Sequence, residues 1–384
     1  MEAYLDNSAT TRCSARVKDL MVRILTEDYG NPSSLHNKGK EAEDYIRTAR
    51  EQIARTLKID GKELVFTSGG TESNNMALIG GALANRRNGR HIITTGIEHA
   101  SVLAPLDYLK ELGYEITYLS VDENGQISLD ELREAVREDT VLVSIMMVNN
   151  EIGALEPVEA AAKLIKEKNP GTLFHVDAIQ AYGKFRIYPK KWGIDLMSVS
   201  GHKIHAPKGT GFLYIADKVK VKPVIYGGGQ QKGLRSGTEN VPGVAALGAA
   251  AEEAYEDFES KTERLYALRE RLIRGVTEIG GVTVNGRTDR DCAPHIVNIS
   301  IRDVRSEVML HSLEEYGIYV SAGSACSSNK PAPSRTLQEI GLPKSAVASA
   351  IRISFCAETT EEEVDYAVEK MKEIIPFRRK FVRK

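Results

Sequence analysis

The sequence predicts an α/β core followed by a smaller α+β region, on three observations. Short apolar runs alternate with segments of helical period through the middle of the chain, the pattern of a parallel sheet covered by helices. The texture changes after about Val241, where the alternation gives way to a long charged stretch. The 384 residues also exceed the roughly 250 to 300 at which a single hydrophobic core stops growing, so two domains are expected.

In chain order, a first strand is expected at residues 4–5, able to join either body. Residues 41–57 and 157–168 carry apolar side chains at helical spacing with charge on the opposite face, as sheet-covering helices do. Residues 63–67, 91–95, 141–148, 173–176, 196–199 and 211–215 are short apolar runs, the signature of strands buried on both faces. From Val241 an alanine-rich stretch runs into the charged segment 252–279, read as one extended helix linking two bodies. The domain boundary is expected within it. Beyond it come strands at 296–301 and 318–320 and a helix at 360–375. No internal repeat is evident, and the basic tail after Phe377 reads as a solvated end.

Apolar residues make up 42% and charged residues 27%, the balance of a folded soluble protein. A formal charge of -2 gives no global field to attract nucleic acid or an anionic membrane. Cys13, Cys292, Cys326 and Cys356 form no CxxC pair, which argues against a disulfide framework or a zinc site. An acid stands where a signal peptide carries basic residues, and no apolar run approaches the roughly 20 residues that cross a bilayer. A cytoplasmic location is expected.

Chemistry concentrates where strands open into loops, the place where open α/β sheets bind ligands. Ser200-Gly-His-Lys203 follows one strand, and a lysine there can form a Schiff base with an aldehyde cofactor; in isolation it also reads as a surface lysine. Thr67-Ser-Gly-Gly-Thr-Glu-Ser-Asn74 is a glycine-containing turn into a helix, either a phosphate cradle or a plain helix cap. Gly227-Gly-Gly229 with Arg235-Ser-Gly-Thr238 is a second candidate phosphate contact, or merely a flexible loop. His175-Val-Asp177 ends a strand in an acid that pairs with a pyridine-ring nitrogen or caps the next helix. Gln180 lies three residues on. His99 offers an imidazole to stack on a flat ring or to move protons, and a structural histidine is the alternative.

Together these residues resemble the fold type I pyridoxal-phosphate enzymes, and within them the cysteine desulfurases of the NifS/IscS group. The resemblance extends from Tyr4-Leu-Asp-Asn-Ser-Ala-Thr-Thr11 through Asn31-Pro-Ser-Ser34 and His36 to Thr359-Thr-Glu-Glu-Glu363. It implies a large domain (16–256) with a mainly parallel seven-stranded sheet, and a smaller α+β domain (1–15 and 257–384). It also implies a homodimer that holds pyridoxal 5'-phosphate. By resemblance, Lys203 is the Schiff-base lysine. Gly70, Thr71, Ser200 and His202 are phosphate-side contacts, and Thr238 is a phosphate contact given to the partner subunit. Asp177 is the ring-nitrogen partner, Gln180 and Asn150 lie on the phenolic-oxygen side, and His99 stacks on the ring. Asn150 and Arg352 would bind substrate, the guanidinium forking a carboxylate.

Cys326 lies in a stretch of small, polar and proline residues, 321–334, a composition typical of exposed loops and unlike core packing. Gly-Ser-Ala-Cys resembles the desulfurase nucleophile motif, which makes Cys326 the acceptor of sulfur from L-cysteine. The run 327–334 resembles the longer-loop group, whose loop delivers sulfur to an acceptor such as an iron-sulfur scaffold. Cys13 and Cys292 read as structural or incidental. Two departures stand out: His205 replaces the family's usual aromatic residue, and 329–333 differs from the commoner loop. Other outcomes in view are a selenocysteine lyase, a class V aminotransferase or related lyase, and a non-catalytic scaffold of the same fold.

Overall fold

In the computed structural model, residues 1–322 and 333–381 are described. After a short strand β1 (Ala3–Tyr4), seven strands form one sheet: β2 (Leu64–Thr67), β3 (His91–Thr95), β4 (Glu115–Leu119), β5 (Thr140–Met146), β6 (Leu173–Asp177), β7 (Leu196–Ser200) and β8 (Gly211–Ile215). Their order is β2-β8-β7-β6-β5-β3-β4. Only the β8 pairings are antiparallel, so β2, β3, β5, β6 and β7 all end at the same edge. Their side chains are buried on both faces, which is why these strands read as unbroken apolar runs. Helices Asn37–Leu57 and Val241–Tyr255 pack against one another over this core.

Register in the centre of the sheet is fixed by a buried polar ladder. His175 Nδ1 meets Ser144 Oγ at 2.8 Å and Nε2 meets Ser198 Oγ at 3.0 Å, joining β5, β6 and β7. Burial draws the imidazole down to about 3, so it stays neutral there. Slipping β6 by one residue would take His175 from both partners and send it to the other face.

A second sheet, β12-β13-β10-β9, is antiparallel and comprises β9 (Val282–Asn285), β10 (Ile296–Ile301), β12 (Ser321–Ala322) and β13 (Ala350–Ser354). β1 pairs in parallel with β11 (Ile318–Tyr319). Leu265, Leu272, Ile299, Ile353 and Met371 belong to a separate apolar core that also takes in Ala3 and Leu5 from the N-terminus.

The expected single helix over 252–279 is corrected: helix Val241–Tyr255 stops, and a new helix runs Phe258–Thr277. Between them Glu256 is extended and Asp257 adopts φ +48°, a left-handed conformation that aspartate tolerates better than most residues. The chain thus turns without glycine or proline, so the sequence carries no breaker to read.

Candidate active site

Five strand ends deliver side chains to one sheet edge, and there they surround a cavity of ≈ 270 Å³. From β2 come Gly70 and Thr71, from β3 His99, from β5 Asn150, from β6 Asp177 and Gln180, and from β7 Ser200, His202 and Lys203. Arg352 reaches the same cavity from β13 of the other sheet. Two predicted residues are elsewhere. Thr238 lines a separate cavity with Ser68 and Gly209, and Cys326 lies outside the described residues. Arg235, the second phosphate candidate, is ion-paired with Glu72 at 2.8 Å.

The turn after β2 depends on its glycines. Gly69 has φ +147°, a conformation that favours glycine, and a Cβ on Gly70 would come within 2.2 Å of Ile179 Cδ1, so a larger residue there requires the Ile179 side chain to move. Lys203 closes a short 3-10 turn, Gly201–Lys203, and its Nζ donates to the carbonyl oxygens of Ser8 and, at 2.8 Å, Ala9. Gln180 Nε2 also donates to Ser8 O, at 3.0 Å. The N-terminal segment therefore forms one wall of the cavity.

Asp177 is buried, and burial pushes its carboxyl above the ordinary carboxylate range. The Ile179 N–H, Asn74 and the charges of His99 and Lys203 pull the other way. Its Oδ1 accepts from Ile179 N at 3.0 Å and its Oδ2 from Asn74 Nδ2 at 2.8 Å. Asn74 Nδ2 also donates to Ser101 Oγ at 2.9 Å, and Ser101 Oγ lies 2.8 Å from His99 Nδ1. The Ser101 backbone N–H donates to that same nitrogen at 3.1 Å, so Nδ1 is an acceptor and the neutral ring carries its proton on Nε2. A chain of hydrogen bonds thus runs from the acid to the imidazole. Burial also draws His99 below its usual value, against the pull of Asp177.

Arg352 Nη1 donates to Asn150 O at 2.8 Å, while Nη2 serves Asp6 Oδ1 at 2.9 Å and Ser321 Oγ at 3.2 Å. Its Nε is buried and meets no acceptor among the described residues. Ser321, before 323–332, is the register partner of this arginine across β12 and β13, and Ser334, after it, donates from Oγ to Glu151 Oε2 at 2.5 Å, one residue from Asn150. Reading the sequence singles out neither Ser8, Asn74 nor Ser101 as functional. Ser8 and Asn74 stand within the quoted motifs, whereas Ser101 has no signal of its own.

The arrangement of a lysine, a buried acid, an imidazole and an arginine at one sheet edge defines a class, and comparison names it. The aminotransferase class-V family model matches residues 3–367, and the chain belongs to that family. Two curated relatives are named cysteine desulfurase IscS. The one from Clostridium botulinum is 43% identical over 98% of this chain and 95% of its own, and the one from Methanosarcina thermophila 44% over 97% and 91%. A solved structure titled NifS-like protein is 40% identical, with a TM-score of 0.93 over 98% of this chain and 100% of its own. Within the family, this chain is a member of the cysteine desulfurases. Among the described residues, no helix is long and apolar enough to cross a membrane.

Proposed function

We propose that the chain takes sulfur from L-cysteine with pyridoxal 5'-phosphate held at Lys203, leaving a persulfide on Cys326 and releasing L-alanine. The observation that carries this reading is the convergence of Lys203, Asp177, His99 and Arg352 on one cavity. The residues suit the cofactor on their own chemistry. Asp177, a buried carboxyl, gains a cationic partner in a protonated ring nitrogen, and Ser8 Oγ and Arg352 Nε are buried donors open to further acceptors. The turn at Gly69 and Gly70, with Thr71, Ser200 and His202, would receive the phosphate. Gln180 and Asn150 would face the phenolic side.

When bound, the cofactor supplies an electron sink that lets the substrate's carbon–sulfur bond break. The other tasks fall to the chain. Arg352 forks the substrate carboxylate, its position already set by Asp6, Ser321 and the Asn150 carbonyl. His99 would stack on the ring, and it holds or moves a proton at Nε2, because Nδ1 is committed to Ser101. Cys326 Sγ bonds to the substrate sulfur as the Cβ–Sγ bond breaks, and the electron pair passes to the carbon skeleton, which leaves as alanine after protonation. The flanks of 323–332, at Ser321 and Ser334, support delivery of that thiol from the Arg352 side. Thr238, away from this cavity, would serve a second copy of the chain in a homodimer, and the protein then has a large domain at 16–256 and a small one from 1–15 and 257–384. The persulfide passes to an acceptor protein in the cytoplasm, an iron-sulfur scaffold being one candidate.

The test is to incubate the holoenzyme with L-cysteine and assay alanine together with the mass of the Cys326 peptide; alanine without an added sulfur there sinks the reading. Arg352→Ala is expected to raise KM for cysteine by about tenfold to a hundredfold, the worth of a charge-assisted hydrogen bond pair, with a smaller effect on kcat. An unchanged KM removes Arg352 from the substrate site.

Asn74 is a positioning residue, since it touches both Asp177 and Ser101. Asn74→Ala is expected to cut kcat by roughly tenfold to a hundredfold and to move the acidic limb of the pH–rate profile. A fall in kcat with the profile unmoved would reduce Asn74 to packing.

A further inference from the structure

A second cluster lies outside the cavity just described. A ring nitrogen of His205, Cys356 Sγ and a carboxylate oxygen of Glu358 all lie within 4.8 Å of one another. His205 and Glu358 approach to 3.3 Å, on the wall of a cavity of ≈ 520 Å³ that Cys13 also lines. These positions include the histidine that replaces an aromatic residue and the cysteine that the desulfurase chemistry leaves unused.

Three features show what the cluster can hold. His205 Nδ1 lies 2.8 Å from Arg12 O, and a carbonyl only accepts, so Nδ1 carries the proton and Nε2 is the nitrogen turned toward Glu358. A backbone carbonyl fixing the outer nitrogen is the usual support of a metal-bound imidazole. The backbone of His205 sits at φ +66°, a strained conformation sustained by three bonds to the N-terminal segment: the Nδ1 contact, its own N–H donating to Thr11 Oγ1 at 2.8 Å, and the Ser14 N–H donating to its carbonyl at 3.3 Å. Cys356 is buried, and burial with the Glu358 carboxylate pushes its thiol up to about 11. A lone thiol so placed is inert, whereas a divalent cation at bonding distance deprotonates it outright. Three cations oppose such an ion, Arg12 and Lys208 on the cavity wall and the buried Lys184, which burial lowers to about 8. Glu358 and Glu363 on the same wall offset them.

We propose that His205 Nε2, Cys356 Sγ and Glu358 bind one divalent transition cation of the zinc kind, with water completing a tetrahedral shell. One imidazole, one thiolate and one carboxylate match the mixed N, S and O donors that such an ion accepts. On binding, the Cys356 thiol proton passes to solvent and no electron is transferred. The ion joins the loop two residues after Lys203 to the segment that leaves β13, the strand of Arg352, and so clasps the two walls of the active cavity. This site does not depend on the desulfurase reading.

Equilibrium dialysis of the purified protein against Zn²⁺, read by elemental analysis, is expected to give one equivalent per chain. Cys326→Ala should retain it, which separates this site from the nucleophile thiol, and Cys356→Ser and His205→Gln should lose it. Co²⁺ should develop a thiolate-to-cobalt charge-transfer band that Cys356→Ser lacks. Should either variant misfold by circular dichroism, Glu358→Gln, at an exposed side chain, is expected to weaken Zn²⁺ binding at least tenfold. Full binding in the Cys356 or His205 variants, unchanged affinity in Glu358→Gln, or no uptake by the wild type overturns the proposal and leaves an ordinary imidazole–carboxylate contact.

Discussion

Lys203→Ala is expected to abolish the visible absorption of the bound cofactor and to lower cysteine-dependent alanine formation by roughly a thousandfold or more. The magnitude follows from losing the covalent anchor together with a positioned amine, whose proton transfer alone contributes about 10² to 10⁴ in enzymes that use one. The structural consequence is smaller. Lys203 Nζ bonds to the carbonyls of Ser8 and Ala9, tying the N-terminal segment to the loop after β7. Removing it leaves Ser8 O its bond from Gln180, and the Thr11 N–H still donates to His202 O at 2.8 Å, so the segment keeps its place. Thermal unfolding should therefore shift by a few degrees while activity collapses. Loss of activity accompanied by a collapsed melting temperature would instead make Lys203 a structural tie. Retained absorption would mean another amine holds the cofactor, with the buried Lys184, whose Nζ donates to Lys203 O at 3.3 Å, one alternative.

The strands that set the site were legible because they are buried on both faces. β3, β8 and β10 follow the expected bounds to the residue, each an apolar run with clear edges. β4 was not foreseen: it is an edge strand whose first residues are exposed or half-exposed, so Glu115 and Thr117 dilute the apolar signal. β9 escaped for the same reason, with Thr283 exposed and Val284 partly so. The run at 318–320 reads as one strand, yet the chain pairs β11 with β1 and then passes into β12 of the other sheet within two residues.

At the site, the side chains with distinctive chemistry could be picked out, and the strand ends explain why they meet. Backbone partners could not, because a carbonyl has no sequence signature: nothing marks Ser8 and Ala9 as the acceptors for Lys203. Long-range pairs are equally silent. Asp6 and Arg352 are 346 residues apart in sequence and form an ion pair only because the chain lays residues 6–8 along β13, where the Ser8 N–H donates to Ser354 Oγ at 2.9 Å. Arg352 thereby has its guanidinium aimed before any substrate arrives. That arrangement lowers the ordering cost of binding a carboxylate.

The second large effect concerns Cys326. Cys326→Ser is expected to leave the cofactor's absorption intact and to reduce persulfide formation and alanine release by roughly a hundredfold or more, since a hydroxyl at neutral pH is a far poorer nucleophile toward sulfur than a thiolate. This separates the residue from the Lys203 machinery: one variant loses colour and activity together, the other activity alone. The remaining thiols make the assignment testable. Cys292 is buried and burial raises its thiol, and Cys356 stands at about 11, so neither is a ready thiolate. Cys13 lines the His205 cavity rather than the Lys203 one. Alanine release that survives in Cys326→Ser, with labelled sulfur recovered on Cys13, would reassign the acceptor. Pyruvate, ammonia and sulfide formed in place of alanine would mean direct elimination, the course of a lyase that needs Lys203, Asp177 and His99 but no thiol.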